Sequence, residues 1–319
     1  MKSSKKKRII YAVIIIVIMI FSFHFDKNFY NEMKTTVVGK IKTEINKLKP
    51  NEDDPTIENM NTQETLKVYF LDVGQADSIL LECNNEYMLI DAGNNADGNK
   101  LVKYFQSLNI SEFRYVFGTH AHEDHIGGLD NIIRNFKIKN FYMSGVTTTT
   151  TTFMEILDEL EKKNLEFKTP KNGQSLTLGD AKVKVLYVGE DKESLNDSSI
   201  VIRVTYGETS FLFMGDATTS EEKLVPDKEL KSTVLKVGHH GSRDATGATF
   251  LNKIKPKYAV ISSGKNNEYG HPHDVTINKL NKINTKVYRT DEMGTIVATS
   301  DGKTVKFKTI QTDTNGVEN

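Results

Sequence analysis

The grouping of histidines constrains this chain more than any other feature. Seven of its eight histidines fall in three groups, at positions 120–125, 239–240 and 271–273. Histidines that fill single core positions would be scattered along the chain. The first group reads Thr119-His120-Ala121-His122-Glu123-Asp124-His125 and follows a strand-like run over 114–118. The grouping therefore favours ligand roles over isolated structural ones.

The spacing within the first group predicts two adjacent metal sites. On an extended backbone, alternation places His120 and His122 on the same side. Asp124 and His125 then turn the other way as the chain enters a glycine pair and a helix. Two imidazoles on one side, and a carboxylate with an imidazole on the other, suit a pair of divalent cations.

Charge and cysteine content exclude several classes of protein. The chain has 42 Lys/Arg and 42 Asp/Glu, of which 11 and 7 lie in residues 1–61. The remaining 31 basic and 35 acidic residues leave the body mildly acidic, which argues against a protein that coats nucleic acid through a broad basic face. The single cysteine, Cys83, excludes an internal disulfide framework and a Cys-rich zinc ribbon.

The first 25 residues predict a membrane anchor. Five Lys/Arg within residues 2–8 precede an apolar run from Ile9 to Phe23, which is near the short limit for a spanning helix. No small-residue cleavage site follows, so an uncleaved anchor is favoured over a signal peptide. Positive charge before the span predicts a single-pass protein of the cell membrane, its N-terminus cytoplasmic and its main domain extracellular. The predicted partner is the cytoplasmic membrane, and no obligate protein partner is evident.

The rest of the chain predicts a polar linker over 26–63, one strand-rich α/β domain over 64–310 and a disordered tail over 311–319. Strands are expected over Leu66–Val73, Ser78–Glu82, Tyr87–Ile90, Arg114–Gly118 and Ile200–Tyr206, among others. Apolar residues at helical spacing predict helices over Leu129–Phe136, Phe153–Leu165 and Ala245–Ile254, among others.

Several longer motifs show a resemblance to a known family. The first histidine group, with Asp91 upstream in Leu89-Ile90-Asp91-Ala92-Gly93, resembles the metallo-β-lactamase superfamily. The resemblance is greater still to the hydrolase domain of its ComEC-like branch, and it rests on motifs that recur in order between about Leu66 and Phe307. These motifs are Leu71-Asp72-Val73-Gly74-Gln75-Ala76-Asp77-Ser78, Phe213-Met214-Gly215-Asp216-Ala217, Leu235-Lys236-Val237-Gly238-His239-His240-Gly241-Ser242, and Gly270-His271-Pro272-His273.

The resemblance implies a four-layer αββα sandwich with a metal centre at one edge. By position, one metal takes His120 and His122, and the second takes Asp124 and His125. Asp216 bridges the two metals and His240 completes the second site. Asp91 orients a ligand through a hydrogen bond. His239 is the alternative ligand, with His240 then facing the substrate.

The chain departs from the family pattern in two places. Ala76 replaces the second glycine of the opening motif. The superfamily also expects a histidine between the first group and Asp216, and the corresponding segment, 195–200, has none. Asn196 or Asp197 could substitute for it. The cofactors expected are two divalent ions, zinc or manganese, because an oxygen-tolerant ion suits a site short of nitrogen.

The expected chemistry is hydrolysis by a hydroxide held between two metals. The predicted catalytic residues are Asp124, His239 and His271, the two histidines as donors to the leaving group or to the charge that develops. The ComEC-like branch points to a phosphodiester or nucleic-acid substrate. Alternatives are another ester or amide (a phosphocholine ester, lactone or β-lactam) and a tethered binding module whose metal site has decayed.

Overall fold

The computed structural model describes residues 65–190 and 193–311. The predicted anchor, the linker and residues 312–319 of the predicted tail lie outside the described residues. In the described part of the chain, no helix combines the length and the apolar character needed to cross a membrane.

Seventeen strands occur in the described residues, most of them short. In chain order they are β1 Leu66–Phe70, β2 Ser78–Cys83, β3 Glu86–Ala92, β4 Glu112–Phe113, β5 Tyr115–Gly118, β6 Lys137–Ile138, β7 Phe141–Met143, β8 Phe167–Lys168, β9 Ser175–Leu178, β10 Ala181–Val188, β11 Ile200–Tyr206, β12 Thr209–Phe213, β13 Val234–Lys236, β14 Tyr258–Ile261, β15 Lys286–Arg289, β16 Thr295–Ser300 and β17 Val305–Ile310. β4 and β6 pair only with each other.

The other strands form two mixed sheets. The first has the order β17-β16-β1-β2-β3-β5-β7-β8 and the second β15-β14-β13-β12-β11-β10-β9. Antiparallel hairpins build one side of each sheet. On the other side, β3, β5 and β7 run parallel in the first sheet, and β12 to β15 run parallel in the second. Parallel neighbours end at the same edge, so each sheet offers one row of carboxyl-terminal strand ends for a site.

Helices cover the outer face of each sheet. In chain order the helices are α1 Gly98–Ser107, α2 Glu123–Ile126, α3 Leu129–Asn135, α4 Thr151–Lys162, α5 Ala248–Ile254, α6 Asp274–Lys282 and α7 Thr290–Met293, of which the short α7 instead contributes Met293 to the space between the sheets. Apolar residues of α1, α3 and α4 pack on the first sheet, and those of α5 and α6 pack on the second. A third cluster, which includes Phe70, Phe117 and Phe213, fills the space between the sheets. The expected four-layer αββα order is therefore present.

The predicted elements agree with the structure to within a few residues. β11 has the predicted bounds, Ile200–Tyr206. The helix expected over Phe153–Leu165 begins earlier, at Thr151, because the Thr150 hydroxyl accepts a hydrogen bond from the Phe153 N–H and caps the helix. The helix expected over Ala245–Ile254 begins later, at Ala248, because Thr246 has a positive φ of 57° that no helix continues through.

Candidate metal centre

The first histidine group lies where β5 ends and α2 begins. His122 is still extended, with φ −82° and ψ 149°, and serves as the N-cap of α2. This change from strand to helix separates the four candidate ligands into two pairs. His120 Nε2 and His122 Nδ1 lie 3.0 Å apart in the first pair, whereas Asp124 and His125 turn toward the second sheet.

A second set of donors forms where the two sheets meet. One donor atom each from Asp124, His125, Asp216 and His240 lies within 4.8 Å of the others. His240 Nε2 is 3.3 Å from Asp124 Oδ2, and His125 Nε2 is 3.2 Å from Asp216 Oδ1. Three of the four residues are buried, and Asp124 is partly exposed. Two imidazole nitrogens and two carboxylates thus converge from the ends of β5, β12 and β13.

Hydrogen bonds at the outer nitrogens fix the imidazoles of this second set. His125 Nδ1 donates to Asp91 Oδ2 at 2.8 Å, and His240 Nδ1 donates to the Ser262 carbonyl at 3.0 Å. Asp91 also accepts two hydrogen bonds from Thr119, one from its N–H and one from its hydroxyl, both 2.7 Å long. With Nδ1 occupied in this way, each ring turns Nε2 toward the shared space.

The electrostatics of the set are those of a cation site. Burial opposes charge on His125, but Asp216, Asp91 and Asp124 together raise the pKa of its imidazole well above the ordinary value. Burial likewise disfavours a charged Asp216, yet His125 and His240 hold its pKa well below the usual range. The carboxylates remain ionised, and they stabilise a cation in this buried space, whether a proton on His125 or a metal ion.

Three buried atoms of the cluster fit a metal ion. His125 Nε2, Asp216 Oδ1 and His240 Nε2 have no hydrogen-bond partner among the described residues, although buried polar atoms in proteins are nearly always paired. Imidazole nitrogen and carboxylate oxygen are ligands that zinc and manganese accept. The second set therefore fits a divalent metal.

The first pair, His120 and His122, has fewer protein atoms around it that could bind a metal. Thr119 Oγ1 lies 3.2 Å and Ser199 Oγ lies 3.4 Å from His120 Nδ1, so this ring too is held from its outer side. Burial, and next the neighbouring His125, lower the pKa of His120 well below its ordinary value, which keeps its imidazole neutral. Asp216 also lies near this ring, since Ser199 Oγ accepts a hydrogen bond from the Asp216 N–H.

The turn at 239–241 places the two adjacent histidines differently. His239, His240 and Gly241 have positive φ values of 48°, 50° and 84°, a conformation that side chains with a Cβ rarely adopt. A Cβ on Gly241 would lie 2.5 Å from Pro272 Cβ. His240 belongs to the buried donor set. The His239 side chain is 22% exposed, and its Nε2 lies 3.7 Å from Asp216 Oδ2. His239 therefore faces the open side of the cluster.

The segment that lacks the family histidine separates Asn196 from Asp197. Asn196 Nδ2 lies 3.3 Å from His239 Nε2, and its Oδ1 is buried without a hydrogen-bond partner in the described chain. Asp197 Oδ1 instead accepts a hydrogen bond from the Thr218 N–H. Of the two residues, only Asn196 contacts a site histidine among the contacts the structure shows.

His271 lies beside the cluster in a defined tautomer. Gln75 Oε1 accepts a hydrogen bond from the Gly264 N–H, which turns Gln75 Nε2, a donor, toward His271 Nδ1 at 3.3 Å. Nδ1 must then be the acceptor, so the imidazole proton is on Nε2. Burial, and next His239 and His240, lower the pKa of His271 to about 4, which keeps the ring neutral at pH 7. His271 is thus a neutral hydrogen-bond donor.

One buried ion pair of the site was not predicted from the sequence. Lys236 Nζ donates to Asp77 Oδ2 at 2.8 Å, and both side chains are at most 1% exposed. Asp77 Oδ1 lies 3.6 Å from His240 Nδ1, and the Asp77 N–H donates to the Asp124 carbonyl. Both residues lie in quoted motifs. The available signal was a lysine inside the otherwise apolar run Val234-Leu235-Lys236-Val237.

Comparison of the sequence with known protein families identifies the class of protein. Residues 71–265 match the family described as the metallo-beta-lactamase superfamily, and the chain belongs to it. The fold and the donor cluster support a metal-dependent hydrolase.

The resemblance to competence proteins is also confirmed. The chain is 30% identical to ComE operon protein 3 of Bacillus subtilis over 72% of its length, and 28% identical to competence protein ComA of Neisseria gonorrhoeae over 70%. It spans about a third of each, 32% and 31% respectively. A metallo-beta-lactamase fold protein from Bacillus subtilis, YhfI, superposes with a TM-score of 0.51 at 12% identity, over 74% of this chain and 100% of that one.

Proposed function

We propose that the protein is a membrane-anchored extracellular phosphodiesterase that cleaves nucleic acid with two divalent ions. The observation that supports this most is the donor set Asp124, His125, Asp216 and His240, with His239 on its accessible side and the His271 ring next to that of His239. The competence names of the relatives support a nucleic-acid substrate.

The position of each residue indicates its role in the proposed reaction. When bound, divalent ions supply an activated water and polarise a phosphoryl oxygen. His120 and His122 would hold one ion and Asp124, His125 and His240 the other, with Asp216 between the two pairs. His271 Nε2–H is a neutral donor suited to the leaving oxygen or to the charge that develops on the phosphoryl group. His239, the more accessible ring, suits contact with the substrate.

Hydrolysis of a chromogenic phosphodiester tests the proposal. We expect the full-length chain in detergent to turn over this substrate with zinc or manganese. Asp124→Ala removes a ligand from the second donor set, and we expect it to lower kcat/KM by about 100-fold or more, the scale of losing one group that stabilises the transition state.

Asp227→Ala is the matched control, because Asp227 carries a 65% exposed carboxylate that pairs only with Lys253 in the described contacts. It should hydrolyse the diester as the parent does. Equal activity of Asp124→Ala and the parent would refute the assignment. Bound metal without diester turnover would favour another ester or amide substrate, and neither metal nor turnover would favour a binding module.

A further inference from the structure

An aromatic surface leads outward from the metal centre. Tyr269 is 68% exposed, and its ring stacks on that of His271 with centroids 5.6 Å apart and planes 23° apart. The His271 ring in turn lies 5.5 Å from that of His239 and 6.3 Å from that of His240. Exposed apolar residues that stand singly are common and mean little. Tyr269 differs because it extends a continuous row of rings from His240, a candidate metal ligand, to solvent.

The loop that carries Tyr269 is held in place by hydrogen bonds. Asn267 Nδ2 donates to the carbonyls of Gly264 and His271, and Asn267 Oδ1 accepts from the His271 N–H at 3.0 Å. Gln75, which precedes β2 of the first sheet, accepts from the Gly264 N–H. The loop is thus closed on itself and tied to the other sheet, so the backbone that carries the exposed ring is held in place before any ligand arrives.

Charged side chains, two of them basic, accompany the rings. Lys265 lies in the same loop, and the backbone N–H of Arg243 donates to His273 Nδ1, whose ring is 4.9 Å from that of His271. The Lys265 and Arg243 side chains are exposed, and neither forms an ion pair with any described residue. Glu268 lies in the same loop and Asp244 follows Arg243, and both are exposed, so the surface carries charges of both signs. Its two cations suit the phosphates of a strand whose base stacks on the exposed ring.

We infer that the stack of Tyr269 on His271 is a platform for one base of a single-stranded nucleic acid whose neighbouring phosphodiester lies at the metal centre. The inference rests on the proposed function and specifies its substrate. Bases in a duplex are already stacked on each other, whereas an unpaired base has a free face for an aromatic ring. The mildly acidic body provides no broad basic surface for a duplex, so recognition would be local.

Binding by the metal-free, full-length chain in detergent tests the platform without turnover. The probes are a fluorescent oligothymidylate and a strand of equal length with the same phosphates but no bases. We expect the parent to prefer the strand with bases. Tyr269→Ala should weaken binding of that strand by about 5- to 100-fold, the range measured when one stacking aromatic is removed, and leave the abasic strand unaffected.

Two variants act as controls. Tyr269→Phe keeps the ring and should bind as the parent does. Met154→Ala removes another exposed apolar side chain, from α4 on the first sheet, and should change nothing. Equal binding of the two strands, an unaffected Tyr269→Ala, or no binding of either strand would overturn the inference. Displacement by phosphocholine that depends on Tyr269 would assign the platform to a different ligand and overturn it as well.

The outcomes separate this inference from the proposed function. The chromogenic diester needs no platform, so its hydrolysis together with base-independent strand binding would reject the platform and keep the phosphodiesterase. Base-dependent binding without hydrolysis of any diester by the metal-loaded protein would reject the phosphodiesterase and keep a nucleic-acid site.

Discussion

The histidines of this centre fall into two tautomers, which depend on whether the hydrogen-bond partner of Nδ1 is an acceptor or a donor. His125 and His240 have acceptors at Nδ1, so their protons are held there and Nε2 is free to bind a metal. Thr119 donates its hydroxyl proton to Asp91, so at His120 it can only accept, and His120 belongs to the same type. His271 has a donor at Nδ1 and is the opposite tautomer. The histidine positions were visible in the sequence, but this division depends on partners as distant as Gln75.

Reversing the partner of His271 should reverse its role. Gln75→Glu keeps an oxygen for the Gly264 N–H and presents a second acceptor to His271 Nδ1. We expect the imidazole proton to move to Nδ1, the pKa of His271 to rise above about 4, and kcat to fall by about 10- to 100-fold, since a positioned proton donor contributes at least that much.

Nitrogen-15 NMR of labelled histidine in the metal-free protein reports the tautomer directly, and a pH titration of the same signal reports the pKa. The Nδ1 signal of His271 should change from an acceptor to a donor shift in Gln75→Glu. Gln75→Ala removes the partner without offering an acceptor and serves as the comparison. An Nε2-protonated ring in Gln75→Glu would contradict the assignment.

At the scale of elements, strand ends assemble the site, and the pairing of distant strands was the hardest part to predict. β11 and β3 were predicted because each contains a run of alternating or continuously apolar residues long enough to indicate a strand. Phe141–Met143, a three-residue strand, is too short to show one and was missed. The contact of Lys236 with Asp77 was missed for another reason. It joins the end of β13 to the start of β2 across 159 positions, and local pattern does not report such pairs.

The Lys236–Asp77 pair should matter to stability because neither charge reaches water. Lys236→Met leaves the Asp77 carboxylate buried without its cation, and we expect the free energy of unfolding to fall by about 3–5 kcal/mol. Adding Asp77→Asn removes the stranded charge and should recover part of the loss. Urea unfolding of the metal-free chain measures both changes.

Lys253→Met is the control for that series. Lys253 pairs with Asp227 at 2.7 Å, but both side chains are substantially exposed, at 38% and 65%. Exposed pairs contribute about 0–1 kcal/mol, so this variant should remain close to the parent. If Lys236→Met lost no more than Lys253→Met, the buried pair would have no special role.

At the scale of the whole molecule, the second donor set joins the two sheets. Asp124 and His125 follow β5 of the first sheet, whereas Asp216 and His240 follow β12 and β13 of the second. The αββα order and the edge that carries the site were foreseen through the family resemblance. The layer assignments of individual helices were not, because they depend on which apolar faces meet.

A metal bound between the sheets should stabilise the folded chain as a whole. At 100 times its dissociation constant, a ligand specific for the folded state adds about 2.7 kcal/mol, which corresponds to about 5–10 °C in Tm for a domain of this size. We expect a chelator to lower Tm by that amount and added zinc or manganese to restore it.

His240→Ala should abolish this response to metal, because it removes a nitrogen that the second sheet contributes. Asp227→Ala should retain it. Differential scanning calorimetry with and without chelator distinguishes the cases, and a Tm of the parent that is indifferent to both chelator and metal would show that the cluster does not hold an ion in solution.

The strand order of the first sheet also sets the order in which the sheet can assemble during biosynthesis. β1 lies between β2, which follows it within ten residues, and β16, which begins at Thr295. On the ribosome, one edge of β1 must wait unpaired while more than two hundred residues are made, and exposed strand edges invite pairing with other chains. The sheet that carries the first histidine group can therefore be completed only after β16 and β17 have been made, so any chain that stops before Thr295 lacks a finished first sheet.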